Sequence, residues 1–522
     1  MMGTKLLREG GMAAAVALLA VLICSAMAIA GGWGSDQKAA GAGSASVRTS
    51  SDAATEVAPA VPQLPVGIGQ LTGANSCAAS SCHGGGRVSE DLSFAASQVW
   101  QRRDPHARAW QVLTQPLALE MVRKLAVPGS EPIPATEDGR CLNCHATTER
   151  PYELLPDVGV RVAEAVHHRD GVSCESCHGA ASGWLAEHTT AEWRGYSTER
   201  KSELGFIDTT GDLLRRAQIC ADCHVGGEGK DVNHDLIAAG HPRMDFDFRV
   251  FHANEPQHWT AGGIGNRNRA VNVELRAAFE AEAWLAGQLA SGRAAARLLE
   301  DRASPGRPWP ELAEYSCFSC HHDLRADSWY RLSRGSAGRL QWGTWTFGGV
   351  SSAIDGVAGG GADLAELRQL MQRPLPDRER VQAAAKKLDV VLADAEQRFP
   401  PVLDEAGLTR LGVGLIDQSL ATVAGQSRSG GGTDVLPAAA TWDEAAQLYL
   451  GLHAVMAALR KSGSVVSAEE DALLEGLRQG LLFEERVDSP GSRGSADRVR
   501  EWSLGVAKMR EFLQGRAERV SR

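Results

Sequence analysis

The sequence predicts a mainly α protein in two parts: a loop-rich domain of short helices, followed by a helical bundle. Three observations predict this. Ten of the eleven cysteines fall in five Cys/His motifs, all before residue 322. From residue 362 onward there is no cysteine and one histidine, His453, and apolar residues recur at helical spacing. A Gly-rich stretch, 348–361, lies between the two regimes.

Four motifs read C-x-x-C-H: Cys141-Leu-Asn-Cys144-His145, Cys174-Glu-Ser-Cys177-His178, Cys220-Ala-Asp-Cys223-His224 and Cys317-Phe-Ser-Cys320-His321. This is the attachment signature of a c-type haem. Two cysteines a turn apart form thioethers to one porphyrin edge, and the next residue then supplies the proximal nitrogen. A lone C-x-x-C also serves zinc or redox chemistry. Zinc sites, however, pair two such units and need no histidine after each. The first motif, Cys77-Ala-Ala-Ser-Ser-Cys82-His83, is stretched. Alone it reads as a disulfide; beside four regular motifs it reads as a fifth haem site, its longer loop bulging to bring both sulfurs to the vinyls. The expectation is a pentahaem cytochrome c domain over 74–347, a linker at 348–361 and a haem-free bundle over 362–522. His83, His145, His178, His224 and His321 are the proximal ligands.

Taken in order, the chain begins with Lys5 and Arg8, then an apolar Ala-rich run from Met12 to Ala30. Small residues at Ala26-Met27-Ala28 and Ala28-Ile29-Ala30 offer cleavage sites. Residues 1–30 are read either as a signal peptide or as a membrane anchor, because 12–30 just reaches the length of a span. Either way the chain is exported, as thioether attachment requires, to a periplasmic location, soluble or tethered. Residues 31–73 are rich in Ala, Gly, Ser, Thr and Pro and read as a disordered linker. Gln98 to Lys124 has helical spacing broken at Pro105 and Pro116. Val158 to His168 reads as a short amphipathic helix, and 226–265 as loop. Asn272 to Arg302 is a clear helix, stopped by Ser304-Pro305-Gly306. Five helices follow: 377–398, 403–423, 442–462, 468–482 and 496–519.

A six-coordinate iron needs a second axial group. Only Met121 and Met244 lie between Cys77 and His322, whereas non-motif histidines are abundant there. Bis-histidine ligation is the natural expectation, with lower potentials than His/Met. Asp104-Pro105-His106-Ala107-Arg108-Ala109, Gly171 to Gly179, Trp184 to His188, and Asn233-His234-Asp235 running to Ala239-Gly240-His241-Pro242-Arg243 resemble the multihaem cytochromes of the cytochrome c-554/c-prime family. That family is related in haem packing to hydroxylamine oxidoreductase and pentahaem nitrite reductase. The resemblance covers about 75–329. It implies closely stacked haems, and distal ligands at His106, His168, His188, His234 and His241, with His252 and His258 in reserve. His322 points away from its own haem.

The formal charge of −10 and pI near 5.9 argue against a nucleic-acid partner. The leading reading is a carrier passing electrons through five c-type haems, exchanging them with other redox proteins or a quinol-linked donor. The rival is a haem enzyme with one open iron acting on a small nitrogen or sulfur compound such as hydroxylamine, nitric oxide or nitrite. A third role, docking, belongs to the bundle, whose apolar helices are equally explained by packing on the haem domain.

Overall fold

The structure, a computed structural model, describes residues 69–85, 92–149, 151–152, 159–259, 273–321, 340–358, 364–399, 403–427, 442–482 and 496–520. The N-terminal segment 1–30 and residues 31–68 of the linker expected over 31–73 lie outside them; its last residues, 69–73, are held in place, with Thr72 and Gly73 N–H bonded to Glu175. No strand occurs among the described residues, only isolated bridges such as Asp138 to Arg161. None of the described helices is long and apolar enough to cross a membrane.

The N-terminal half is built from short helices: α1 Ala96–Arg103, α2 Pro116–Lys124, α3 Gly139–His145, α4 Cys174–His178, α5 Thr198–Glu203, α6 Leu213–His224, α7 His234–Ala239 and α8 Phe248–Asn254. The prolines do what their rings dictate. Pro105 opens a separate 3₁₀ turn, Pro105–Arg108, under an Asp104 cap, and Pro116 starts α2. Three regular motifs lie in α3, α4 and the end of α6, so each Cys-x-x-Cys-His is one helical turn. The helix expected over 158–168 does not form; Val158 itself lies outside the described residues. Residues 160–162 instead pair with the approach to α3: Gly139 N–H donates to Val160 O (2.9 Å) and Val162 N–H to Glu137 O (2.8 Å). The alternation Val158-Gly-Val-Arg-Val162 suits an extended chain better than a helix. Only His168–Asp170 turns, as a 3₁₀ helix.

The C-terminal half contains α9 Phe279–Arg302, α10 Thr344–Phe347, α11 Val350–Ala358, α12 Leu364–Met371, α13 Arg378–Gln397, α14 Glu405–Ser427, α15 Trp442–Lys461, α16 Ala468–Leu481 and α17 Ala496–Val520. Local signals explain the boundaries: Asp377 caps α13 through Arg380 N–H, and Ser467 with Glu470 forms a reciprocal capping box on α16. The Gly-rich stretch read as a linker holds a buried helix, α11, with Val350 and Ala353 fully enclosed. Its neighbouring glycines allow close approach. A Cβ on Gly349 would lie 2.5 Å from Gln288 Oε1 and 2.7 Å from the Trp284 ring.

Helix α9 organises the core. Its residues from Ala281 to Gly292 are all buried, and they are mostly Ala, Gly and Ser with Trp284, Leu285 and Leu289. One hydrophobic cluster runs from Leu213, Ala217 and Phe248 on the motif-bearing side, through α9, to Leu392, Leu452 and Leu513 in the bundle. Arg293 bridges α9 to Asp389 of α13 (2.9 Å), and Gln288 donates to Gln447 of α15 (3.1 Å).

A second link between the halves is pH-sensitive. Arg249 of α8 donates to His453 Nδ1 (3.0 Å) and pairs with Glu280 (2.7 Å). Burial, then Arg249 and Arg460, hold His453 down to about 3, against about 6.5 in an unfolded chain. This imidazole takes up its proton only on unfolding. Its stabilisation is therefore present above about pH 6.5 and lost as pH falls toward the folded value. His453→Gln keeps an acceptor for Arg249 and is expected to flatten the fall of stability between about pH 6.5 and 4. Denaturant titrations across that range test this; an unchanged pH slope would contradict it.

Candidate haem-binding site

Four of the five motif histidines meet a histidine from elsewhere in the chain. His83 faces His188 with ring centroids 6.3 Å apart, His145 faces His241 at 6.4 Å, His178 faces His258 at 6.3 Å, and His224 faces His106 at 6.2 Å. The four separations agree to within 0.2 Å. They match the span that two imidazoles would take if both bound one iron, with bonds of about 2 Å and each centroid roughly 1 Å behind its nitrogen. The planes of His83 and His188 lie 15° apart, while the other pairs are crossed at 76–87°.

The tautomers fit. Nδ1 of His83 lies 2.6 Å from Ser93 O, that of His145 3.0 Å from Ala109 O, that of His188 2.6 Å from Leu185 O and that of His241 2.7 Å from Pro242 O. A ring that donates from Nδ1 leaves the Nε2 lone pair for a metal. Burial lowers His178 and His224 to about 4 and also lowers His145, His241 and His258. All are thereby kept neutral, the form a metal binds.

The ten motif cysteines are free thiols, and they meet across motifs. Cys77 hydrogen-bonds Cys174, joining the first motif to the third, and Cys144 hydrogen-bonds Cys223, joining the second to the fourth. A cavity of about 1570 Å³, lined by Cys144, Cys177, Cys220, Cys223, His106 and His224, opens between them. It exceeds the roughly 300–1,000 Å³ of ordinary small-ligand pockets. Spacing, tautomer and room all suit c-type haems.

Residues 76–179 match the family described as "Cytochrome c554 and c-prime". Cytochrome c-554 of Nitrosomonas europaea is 26% identical over 168 residues, which is 30% of this chain and 64% of that protein. No solved structure matches the chain. Over these residues the chain is similar to the cytochrome c-554 and c-prime family, and it spans 64% of the length of the Nitrosomonas protein.

The intervening residues of the second, third and fourth motifs fix their places. The first one points inward: Leu142 and Ala221 are buried apolar residues, and Glu175 is a buried carboxylate. The second is polar and ties the motif to another segment. Asn143 donates to Tyr152 O (3.0 Å) and Gly229 O (2.5 Å) and accepts from Tyr152 N–H (2.7 Å). Ser176 bonds Thr147 Oγ1 (2.9 Å), Asp222 pairs with Lys230, and Ser319 accepts from Gln341 N–H (3.0 Å).

Not every histidine expected to be distal faces a motif. His168 is fully buried, but its Nε2 is bonded to Tyr152 Oη (2.9 Å) and its Nδ1 to Ala165 N–H (3.3 Å). Both ring nitrogens are hydrogen-bonded within the chain, and the ring faces no motif histidine among the described residues. His234 opens α7, with its backbone N–H on Glu311 Oε1 (2.8 Å). His188 lies across from the first motif and His258, held only in reserve, across from the third. His252 is buried beside Arg216 (3.0 Å). His321 is exposed, and Arg243 reaches Cys317 Sγ (3.5 Å); His322 lies outside the described residues. His258 carried no local signal, because its partner is eighty positions away in sequence (258 − 178).

Glu175 holds the array's first and third motifs together. Its carboxylate accepts from Thr72 N–H (2.9 Å), Gly73 N–H (2.8 Å) and Ala181 N–H (2.8 Å). Glu175→Gln turns an NH₂ toward backbone donors, and each buried donor so stranded costs about 1–3 kcal/mol. We expect the melting temperature of the haem-loaded protein to drop by several degrees; a melting curve matching the wild type would show that the carboxylate is dispensable.

Proposed function

We propose that the protein is an exported pentahaem electron carrier, in which at least four irons are closed by two histidines each. The observation that carries this reading is the set of four His–His pairs, each joining one motif histidine to one distant histidine at 6.2–6.4 Å. His188, His241, His258 and His106 are the distal ligands to the haems of the first, second, third and fourth motifs. When bound, each haem supplies a one-electron Fe(III)/Fe(II) couple, whose potential the axial ligands and burial set. The chain's own contribution is to close both axial positions and to bring the attachment points of two haems together, at Cys77–Cys174 and at Cys144–Cys223. Electrons then have short paths within each couple. The partners are other redox proteins or a quinol-linked donor outside the cytoplasmic membrane, reached after export directed by residues 1–30. The runner-up, an iron open on one face for a small nitrogen or sulfur compound, attaches to the fifth motif, where His321 is exposed.

Pyridine haemochrome assay is expected to count five haems; four would exclude the stretched motif. The oxidised protein is expected to give low-spin signals from at least four haems, an ordinary rhombic one from the near-parallel His83–His188 pair beside strongly anisotropic ones from the crossed pairs. His188→Ala should convert one low-spin haem to a high-spin species that binds cyanide. A wild-type spectrum dominated by high-spin iron would overturn the carrier reading. A single high-spin haem that shifts with nitric oxide would establish the open iron.

A further inference from the structure

Four of the paired histidines, His83, His145, His188 and His241, rest Nδ1 on a main-chain carbonyl, and His258 bonds the backbone of Pro256. His106 differs. Its Nδ1 lies 2.9 Å from Asp104 Oδ1, a carboxylate. The same oxygen accepts the His106 backbone N–H at 2.9 Å. Asp104 is itself only 5% exposed, so this acceptor is held by its cap geometry and poorly screened by water. A hydrogen bond to an ionised acceptor is shorter and stronger than one to a neutral carbonyl. On a metal-bound imidazole it draws the proton away and makes the ring a stronger donor to the metal. A stronger donor favours the ferric over the ferrous iron.

We infer that Asp104 is a positioning residue that makes the iron held by His224 and His106 the lowest in potential of the four paired sites. Asp104 acts through His106 and touches no haem-attachment residue. The site is also the one that opens on the large cavity, where the buried carboxyl of Glu255 adds negative potential toward His106 without a bond to its ring. Electrons then leave this haem readily and reach it last, so the second and fourth motifs form a couple of unequal members.

The inference rests on the bis-histidine reading above, and the experiment separates the two. Spectroelectrochemical titration of the full haem-loaded chain gives the set of midpoints. Loss of one low-spin component in His106→Ala identifies which midpoint belongs to this site. Asp104→Asn keeps a side-chain cap for the turn and is expected to raise that one midpoint by at least the equivalent of a tenfold change, 59 mV for one electron, leaving the others in place. Glu255→Gln removes a nearby charge but no hydrogen bond to the ring, and is expected to move the same midpoint less. Failure of Asp104→Asn to move it, a uniform rise of all midpoints, or an equal rise in Glu255→Gln would overturn the role of Asp104. A wild-type protein in which His106→Ala removes no low-spin component would overturn the ligand assignment itself. Haem count and far-ultraviolet circular dichroism of each variant establish that it is folded and loaded.

Discussion

A helix enclosed on every side through Ala281–Gly292 is the constraint on which both halves of this protein depend. Helix α9 buries Ala, Gly and Ser residues on every side, which a lone helix in water would have no reason to do. Small side chains let neighbours come close: a Cβ on Gly287 would lie 2.8 Å from Phe248 Cβ, and one on Gly292 would lie 2.7 Å from Val350. On one side α9 receives α6, whose last turn carries the fourth motif; on the other it receives the bundle. The bundle thus completes the core on which a haem-bearing helix rests. The buried charges at the end of α9 repeat the theme. Arg302 pairs with Asp231 (2.5 Å) and Glu314 (2.7 Å), joining the loop after the fourth motif to the approach of the fifth.

Around that helix the motif-bearing half is held less by apolar packing than by polar anchors. Its own separate apolar cluster is small, centred on Leu113, Val122 and Leu142. Buried carboxylates and amides such as Glu175 and Asn143 do the joining, each satisfied by several backbone groups. Such contacts are directional, and an unmet one is costly. They suit a domain whose working parts must keep fixed separations.

Much of this was legible in sequence, for physical reasons that can be named. Helix boundaries were readable where capping chemistry is local, as at Asp377, Ser467 and Pro116. The proximal histidines were readable because attachment fixes their offset from two cysteines. Helix α11 was hidden, because its glycines answer to neighbouring side chains of α9 and not to a turn. The histidine that faces each of the first four motifs was also hidden, because it arrives from a remote segment. His168 had the more suggestive position beside its motif, yet Tyr152 and Ala165 engage both its nitrogens. His258 lay in a loop of no apparent pattern, yet its ring meets His178.

The crossing of thiol contacts has a consequence for how the molecule is made. Cys77 meets Cys174, and Cys144 meets Cys223, so the couples interleave along the chain instead of following one another. A polypeptide delivered from its N-terminus cannot complete the first couple until the third motif has arrived, nor the second until the fourth. No fragment ending between these motifs contains both couples. Closing such interlaced loops costs entropy before any contact rewards it. The two couples therefore close together, and only a chain that carries all four motifs can form both.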